Sequence, residues 1–518
     1  MSKRTIGANI LENLTTGMYQ DSKVIFREYI QNSCDQIDKA VRTGLLKPED
    51  AQIQIWLNSN SRIVSIEDNA TGIPATDFKR ILGNIADSDK HIGEDKGFRG
   101  IGRLCGLAYC EKLVFTSSAY GETVESVAEY DAKLMRNLIA DNVRGNKKSV
   151  DDVLDATENY YQSKKAVDSN KHYFKVELIG INDENTDLLD KKRINEYLSF
   201  VAPVPYQNTF YYRNKIYDYA NKLNVKIDEY DILLDGENVF KKYATILKDS
   251  NNTKYDDIFD IDFKDFYDEK GKLIAWLWYG ISKFNRTIPA CNQMRSLRLR
   301  KENIQIGGED TLQKMFKEDR GHHYFIGEVF ALSKDLIPNS QRDYFNENPM
   351  RVEFEKQVRS FFRDHFHTTY YDGSKINSAY KKIESFDKKV AEFKERESQG
   401  TFVNEEERQN EYKAVEIAQK EAEKAKQDLV KKRENANPII KKVLEKREEE
   451  YKKASVGVPV SKLPAPPEKK MTKFRTDTLS AYNRKERKLI SEIFGIIRRA
   501  TDSAIADEII SRIEDELQ

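Results

Sequence analysis

The sequence predicts an α+β fold that gives way to an all-helical region in its last third. Apolar residues alternate in short runs up to about residue 332, as in Ile53, Ile55 and Leu57, and alternation is the period of a half-buried strand. Beyond residue 375, apolar residues recur at spacings of three and four, which is the period of a helix. At 518 residues, the chain is also too long for one ordinary domain.

Changes in composition and the positions of proline divide the chain into five segments. Pro203 and Pro205 mark the end of the first, and the helical pattern that starts near residue 373 marks the end of the second. A proline-rich stretch follows the helical pattern and has the composition of a linker. We therefore expect a first α+β domain at 1–205, a second at 206–372, a coiled-coil helical hairpin at 373–455, a linker at 456–473 and C-terminal helices at 474–518.

Composition narrows the class of protein. The formal net charge is zero, so no global charge favours a polyanionic partner. The chain has four cysteines, and none forms a Cys-x-x-Cys pair, which is typical of a reducing compartment without structural zinc. The N-terminus has no apolar core of signal length, and no window approaches the ~20 apolar residues that a spanning helix needs. We expect a cytoplasmic protein that does not enter the membrane.

A polar face on the helix predicted from residue 23 to 41 carries the first candidate site. Glu28, Asn32 and Asp35 are spaced four and three apart, so they share one side of that helix. A carboxamide oxygen such as that of Asn32 is a ligand for a hard cation, and Glu28 can orient or deprotonate a water molecule. This pattern suits magnesium-assisted hydrolysis, although the same spacing also occurs on an ordinary solvated helix face.

Asp68 and Gly72 form the second candidate site, at the end of a predicted strand. A carboxylate at a strand end can accept a hydrogen bond from an adenine amino group. A glycine next to it lets the base approach the backbone. The alternative is an ordinary Asp-Asn turn.

A glycine-rich loop before a predicted helix at about 100–110 is the third candidate site. Backbone amides at such a position hold phosphate oxygens. The loop is neither a dinucleotide-binding fingerprint nor a Walker P-loop, because no βαβ start precedes it and no Gly-Lys-Ser/Thr closes it. The candidate phosphate-binding residues are Gly97, Phe98, Arg99, Gly100, Ile101 and Gly102.

The three sites together resemble a known family. Phe26-Arg27-Glu28-x-x-x-Asn32-x-x-Asp35, Asp68-x-x-x-Gly72 and Gly97-x-x-Gly100-x-Gly102 are similar to the motifs of the ATPase superfamily of gyrase B, the ninety-kilodalton heat-shock chaperone, histidine kinases and MutL. The resemblance is closest to chaperone-like or MORC-like members. It implies an N-terminal α/β sandwich with the Bergerat fold.

The resemblance also implies the ligands and the roles of the site residues. ATP and Mg²⁺ would bind, with Glu28 as general base, Asn32 as magnesium ligand and Asp35 among the nucleotide-binding residues. Asp68 would read the adenine, and residues 84–99 would form the ATP lid. Two positions depart from the family pattern: Ala70 replaces a glycine, and Lys171-His172-Tyr173 stands where a Gly-Thr pair usually supports the aspartate.

The second domain resembles, more weakly, the transducer domain that follows this ATPase in chaperones, MutL and MORC-like proteins. The stretch Leu336 to Asp343 looks like the chaperone's arginine loop. The resemblance implies that Arg342, with Gln341 beside it, stabilises phosphoryl charge. An arginine on a surface loop is the alternative.

Two weaker patterns lie in the second domain. Arg298 and Arg300 share one face of a strand predicted at 295–306, where they would either hold nucleic-acid phosphates or line a solvated sheet face. His322-His323 could ligate a metal, but no carboxylate or cysteine is spaced for it in the sequence, so we expect no metal there.

These observations predict a Mg²⁺-dependent ATPase. ATP binding and hydrolysis would close the lid and pair the N-terminal domains of a homodimer. The basic strip and the coiled-coil pattern favour a MORC- or MutL-like clamp on duplex DNA, whereas the lid and the arginine loop favour a chaperone that acts on a protein client. A non-catalytic scaffold switched by ATP is a further alternative, and a role in stress or phage defence is compatible with either.

Overall fold

The computed structural model describes residues 7–8, 11–12, 21–84, 96, 102–144, 147–164, 166–454 and 474–518. These residues fall into two compact units. The first unit is Met1–Ser282 with Thr287–His367, and the second is Lys283–Arg286 with Thr368–Gln518. None of the helices within these ranges is both long enough and apolar enough to cross a bilayer.

An eight-stranded sheet organises the N-terminal part of the first unit. Its strand order is β5-β4-β3-β6-β2-β1-β7-β8, and only the β1–β7 pair is parallel. The strands are β1 (Gln52–Asn58), β2 (Ile63–Asp68), β3 (Cys110–Ser118), β4 (Ser126–Asp131), β5 (Glu158–Gln162), β6 (Tyr173–Ile181), β7 (Asp231–Leu234) and β8 (Glu237–Asn238).

Helices accompany this sheet. They are α1 (Val24–Arg42), α2 (Ala75–Gly83), α3 (Ala132–Val143), α4 (Val150–Thr157) and α5 (Lys191–Val201). Helix α6 (Arg213–Lys222) instead packs into the core of the five-stranded sheet described below. Helix α1 ends at Thr43, and Gly44 follows with φ +74, which is a common helix stop. Ile25, Phe26 and Tyr29 of α1 join the core of the sheet, where strand residues such as Ile53 and Val64 meet them. The predicted helix at 100–110 is a 3₁₀-helix at Gly102–Ala108 in the structure.

A five-stranded sheet organises the rest of the first unit, in the order β11-β12-β15-β13-β14. The remaining strands are β9 (Ile246–Lys248), β10 (Lys254–Asp257), β11 (Asp260–Tyr267), β12 (Leu273–Ile281), β13 (Ser296–Lys301), β14 (Ile304–Ile306) and β15 (Ile326–Ala331). Helix α7 (Pro349–Phe361) and a π-helical turn (Phe362–Phe366) follow them.

Residues on both sides of Pro205 contribute to the first sheet, since β7 pairs with β1 in parallel register. The first compact unit likewise contains both predicted α+β domains. The five domain limits expected from composition therefore stay predictions.

The single strand predicted at 295–306 is wrong. Glu302 and Asn303 both adopt positive φ, +52 and +58, and turn the chain into the hairpin β13–β14. Two consecutive residues in the left-handed region are typical of a tight hairpin turn. Glu-Asn is a weak signal for such a turn because it lacks the glycine that usually marks it.

The basic strip on β13 is neither a solvated face nor a phosphate-binding surface. Arg298 and Arg300 are 6% and 0% exposed. Arg300 Nε donates to Glu328 Oε1 on β15 at 2.8 Å, and Lys241 Nζ lies 3.0 Å from Glu328 Oε2. The hydroxyl of Tyr206 donates a short hydrogen bond to the same carboxylate. A buried acid thus neutralises cations that the sequence alone shows as an exposed strip.

The second unit is helical. Its helices are α8 (His367–Gln399), α9 (Glu405–Glu434), α10 (Pro438–Ala454), α11 (Arg484–Ala500) and α12 (Ser503–Leu517). The apolar residues of the heptad pattern form one core, in which Phe386 and Phe393 of α8 meet Val415 and Ala422 of α9. The α+β class with a helical C-terminal region is therefore confirmed, while coiled-coil geometry stays a prediction.

Removing the Glu328 charge should destabilise the fold strongly. Glu328→Gln leaves Lys241 and Arg300 buried without their carboxylate, and breaking a buried ion pair in this way costs about 3–5 kcal/mol. Urea unfolding of the purified chain measures the loss in the free energy of unfolding. Glu237→Gln is the matched control, because its pair with Lys191 is exposed and such pairs contribute about 0–1 kcal/mol. Equal stability of the two variants would contradict the assignment.

Candidate active site

Helix α1 buries several charged residues on its polar face. Arg27, Glu28 and Asp35 are each less than a tenth exposed, and Asn32 is half-buried. Burying an ionised group costs several kcal/mol unless it is paired and hydrogen-bonded. The charged residues of a solvated helix face stay exposed, so the burial of these residues excludes that alternative. They belong to an organised site.

Glu28 lies between an arginine and the glycine-rich loop. Its Oε1 accepts hydrogen bonds from Arg27 Nη2 at 3.1 Å and from Arg27 Nε at 3.3 Å. A Cβ atom added to Gly102 would lie only 2.5 Å from Glu28 Oε2. Gly102 is therefore a glycine for a steric reason, because a side chain there would displace the carboxylate.

Tyr29 fixes the segment that follows this glycine. Its hydroxyl donates to Arg103 O at 3.0 Å and accepts from the Gly106 N–H at 3.1 Å. One buried side chain of α1 thus binds the backbone of two residues within the 3₁₀-helix at Gly102–Ala108. Helical periodicity places Tyr29 on the apolar side of α1, but it carries no information about which backbone groups a hydroxyl contacts.

Asp35 holds the residue that precedes the glycine-rich loop. Its Oδ1 accepts the Lys96 N–H at 2.7 Å. The Lys96 ammonium lies 2.6 Å from Asp38 Oδ2 and 3.7 Å from Asp228 Oδ2. Burial alone would lower the pKa of Lys96, but the Asp228 and Asp38 carboxylates outweigh burial and raise it.

Residues 97–101 of the predicted phosphate loop, and all of the predicted lid except Asn84 and Lys96, lie outside the described residues. Lys96 and Gly102 are the described residues on either side of this stretch.

Arg342 reaches this region from the loop after β15. It has φ +54 and is 5% exposed, and its Nη1 donates to Lys96 O at 2.9 Å. Burial lowers the pKa of Arg342, and the nearby Glu28 carboxylate opposes that shift. Within the part of the chain that the structure describes, Arg342 Nε and Nη2 have no hydrogen-bond partner.

Gln341 contributes its backbone to this arrangement, while its side chain is exposed. Its carbonyl oxygen accepts a hydrogen bond from Arg27 Nη2 at 3.0 Å. Arg27 therefore bridges Glu28 and the arginine loop. Arg27 is part of the first motif in the sequence, but the motif alone does not predict this bridging role.

Asp68 is the centre of a second cluster. It is 2% exposed, its Oδ2 accepts from Ser33 Oγ at 2.7 Å, and its Oδ1 accepts from the Ala70 N–H at 3.1 Å. The hydroxyl that the sequence lacks before β6 is thus supplied by α1. The available signal was that Ser33 follows Asn32 directly, within the first motif.

Gly72 is required by its surroundings. It has φ +62, and an added Cβ would lie 2.1 Å from Ser118 O and 3.1 Å from Tyr173 O. The close approach in the structure is thus to the backbone at the ends of β3 and β6. The Ile73 N–H donates to Ser117 Oγ at 2.7 Å, which ties the same turn to β3.

Comparison with known families agrees with this arrangement. Residues 19–160 match the family described as histidine kinase-, DNA gyrase B-, and HSP90-like ATPase. The match contains α1, Asp68, Gly72 and the glycine-rich loop. Residues 19–160 are therefore similar to the ATPase domain of this superfamily, and the predicted superfamily and its fold are confirmed.

Chaperones are among the similar proteins. The chain is 28% identical over 144 residues to the chaperone protein HtpG of Verminephrobacter eiseniae, covering 23% of this chain and 22% of that protein. It is 34% identical over 85 residues to the HtpG of Buchnera aphidicola from Acyrthosiphon pisum, covering 15% and 14%. The chain thus matches less than a quarter of the length of these relatives. This similarity supports the prediction that the chain is closest to chaperone-like members of the superfamily.

Proposed function

We propose that the chain is a Mg²⁺-dependent ATPase whose active site is completed by Arg342. The supporting observation is the Arg342 guanidinium, which is buried beside the Glu28 carboxylate while its Nε and Nη2 lack partners among the described residues. A buried arginine in this condition is a binding site for an anion with several oxygens. The γ-phosphate of ATP is such an anion.

The two clusters suit the two ends of the nucleotide. Asp68, oriented by Ser33, offers a carboxylate to the adenine amino group. The glycine-rich loop that ends at Gly102 supplies backbone amides to the phosphates. Asp35 and Arg342 both bind the backbone of Lys96 and so position the start of that loop.

Hydrolysis then follows from the position of Glu28. Arg27 occupies Oε1, so Oε2 is the oxygen that faces the loop and can take a proton. A water oxygen bonds to the γ-phosphorus, the bond from that phosphorus to the bridging oxygen breaks, and the water proton passes to Glu28. Mg²⁺, held by Asn32, would neutralise phosphate charge. Arg342 stabilises the charge that spreads over the transferred group.

We further propose that the ATPase drives lid closure and pairing of N-terminal domains in a homodimer that acts on a protein client. The named relatives are chaperones. The basic strip that favoured a DNA clamp is buried against Glu328, which removes one of the two reasons for that alternative.

Glu28→Gln should abolish hydrolysis and spare ATP binding. The amide keeps the shape that Gly102 packs against, but it cannot accept the proton, and loss of a general base costs about 10²–10⁴-fold. Phosphate release measures turnover, and calorimetry measures ATP affinity. Glu129→Gln, at a partly exposed carboxylate on β4, is the control. Wild-type turnover in Glu28→Gln would show that another group is the base.

Arg342→Ala should lower turnover by on the order of 10³-fold, since an arginine that stabilises the transferred phosphoryl group contributes on this scale. ADP has no γ-phosphate, so its affinity should fall much less than turnover does, only as far as the loss of the Lys96 contact disturbs the loop. Turnover and ADP binding are measured beside Arg320→Ala, which removes an exposed arginine of the same domain. If the two variants hydrolyse ATP equally, Arg342 does not contact the reacting phosphate.

An unfolded protein should stimulate turnover, and duplex DNA should leave it unchanged at every salt concentration of a series. Phosphate binding by DNA clamps is steeply salt-dependent, so stimulation by DNA that disappears with salt would favour a clamp instead.

Sedimentation with and without a non-hydrolysable ATP analogue measures pairing in the same samples. A chain that stays monomeric with the analogue would exclude the homodimer.

A further inference from the structure

Two adjacent histidines and a carboxylate from an earlier part of the chain come together beside the start of β13. Asp310, His322 and His323 each place one ligand atom so that all three atoms lie within 4.8 Å of one another. The two histidines belong to a 3₁₀-helix at Asp319–Tyr324, and Asp310 follows the hairpin β13–β14 along the chain. The fold thus provides the carboxylate that the sequence spacing did not show.

His322 is fully buried and has one nitrogen to spare. Its Nε2 lies 3.1 Å from Leu297 N and 3.3 Å from Leu297 O, so the backbone of β13 uses that nitrogen. Its Nδ1 has no hydrogen-bond partner in the ranges the structure covers. In one tautomer Nε2 accepts the Leu297 N–H, and in the other it donates to Leu297 O. In the second tautomer Nδ1 carries a lone pair, which is how metal-binding histidines are usually oriented. A buried polar atom without a partner requires an explanation, and a bound ion is one.

His323 is also held through one of its ring nitrogens, in this case Nδ1. Its Nδ1 lies 3.1 Å from Ser296 Oγ, which leaves Nε2 as its second nitrogen. His323 is half-buried and Asp310 is exposed, so the cluster runs from the interior to the solvent. That gradient provides an entry path for an ion.

The charges around the cluster permit a cation. Arg295 and Arg298 are close, but both are directed to Glu309, whose carboxylate oxygens lie 3.5 Å and 3.9 Å from them. Asp310 and Asp319 add two further negative charges near His323. Three carboxylates therefore face two arginines, and the surroundings stay net negative.

We propose that Asp310, His322 and His323 bind a divalent transition-metal cation, Zn²⁺ being the best match. Two imidazoles and one carboxylate form a three-ligand zinc set with a fourth position open to water. Zinc bonds of about 2.0–2.2 Å bring ligand atoms to roughly 3.5 Å apart. The cluster must contract by roughly 1 Å to reach that spacing, and the exposed Asp310 side chain can move that far.

Calorimetric titration of the full chain with Zn²⁺, after chelator treatment and dialysis, tests the site without nucleotide. We expect one Zn²⁺ per chain and a visible absorption band when Co²⁺ replaces it. Asp310→Ala and His323→Ala should each weaken Zn²⁺ binding by at least about 10-fold, since even residues that only orient ligands contribute 10–100-fold. Both change residues that are at least partly exposed, so the fold should persist.

Asp319→Ala is the matched control, because it removes the same charge near His323 from a residue outside the cluster. Alkylation of Cys291, an exposed thiol, excludes binding by that side chain. The proposal is overturned if the wild-type chain binds no Zn²⁺. It is also overturned if all three variants bind like the wild type, or if Asp319→Ala weakens binding as much as Asp310→Ala.

Discussion

The buried charge of Arg342 is the constraint on which the site depends. A guanidinium with almost no solvent contact must be neutralised and hydrogen-bonded, and the structure gives it only part of this through Lys96 O and the nearby Glu28 carboxylate. Its positive φ holds the side chain in place, and Gly307 donates its N–H to the Arg342 carbonyl at 2.8 Å. Within the part of the chain that the structure describes, Arg342 thus combines a strained backbone with a guanidinium that is only partly hydrogen-bonded. Strained backbone of this kind persists where the surrounding structure enforces it, and it is concentrated at active sites and ligand clamps.

The contrast with Glu328 clarifies this point. The same unit buries a second group of charges around that carboxylate, and there Arg300, Lys241 and Tyr206 together satisfy it. Salt bridges from Arg300 and Lys241 neutralise this carboxylate inside the protein, and the network joins β13 to β15. Arg342 is also a buried arginine, but within the described residues its Nη1 contacts a carbonyl oxygen, that of Lys96, and its Nε and Nη2 have no hydrogen-bond partner. Among the described residues, a carboxylate in direct contact with the guanidinium, rather than burial, separates Arg300 from Arg342.

The adenine end shows how one requirement can be met from a different part of the chain. The family pattern places a supporting hydroxyl before β6, where this chain has Lys171-His172-Tyr173. Ser33 supplies it from α1, one residue after Asn32. The Asp68 carboxylate needs only a nearby hydroxyl that donates a hydrogen bond. That hydroxyl can come from the segment before β6 or, as here, from α1. A departure from a motif therefore says little until the neighbours in space are known.

The sequence by itself determined the fold class, the superfamily and the positions of Glu28, Asp68 and Gly102, because helical periodicity, strand alternation and glycine punctuation are local properties. Only the tertiary structure decided which charges are paired. Arg298 and Arg300 read as an exposed strip until Glu328 is placed opposite them, and His322 and His323 lack a carboxylate until the fold brings Asp310 near. Partner choice depends on contacts between residues far apart in the chain, and burial makes those contacts energetically decisive. A periodic pattern in the sequence shows neither which distant residues meet nor how deeply their charges are buried.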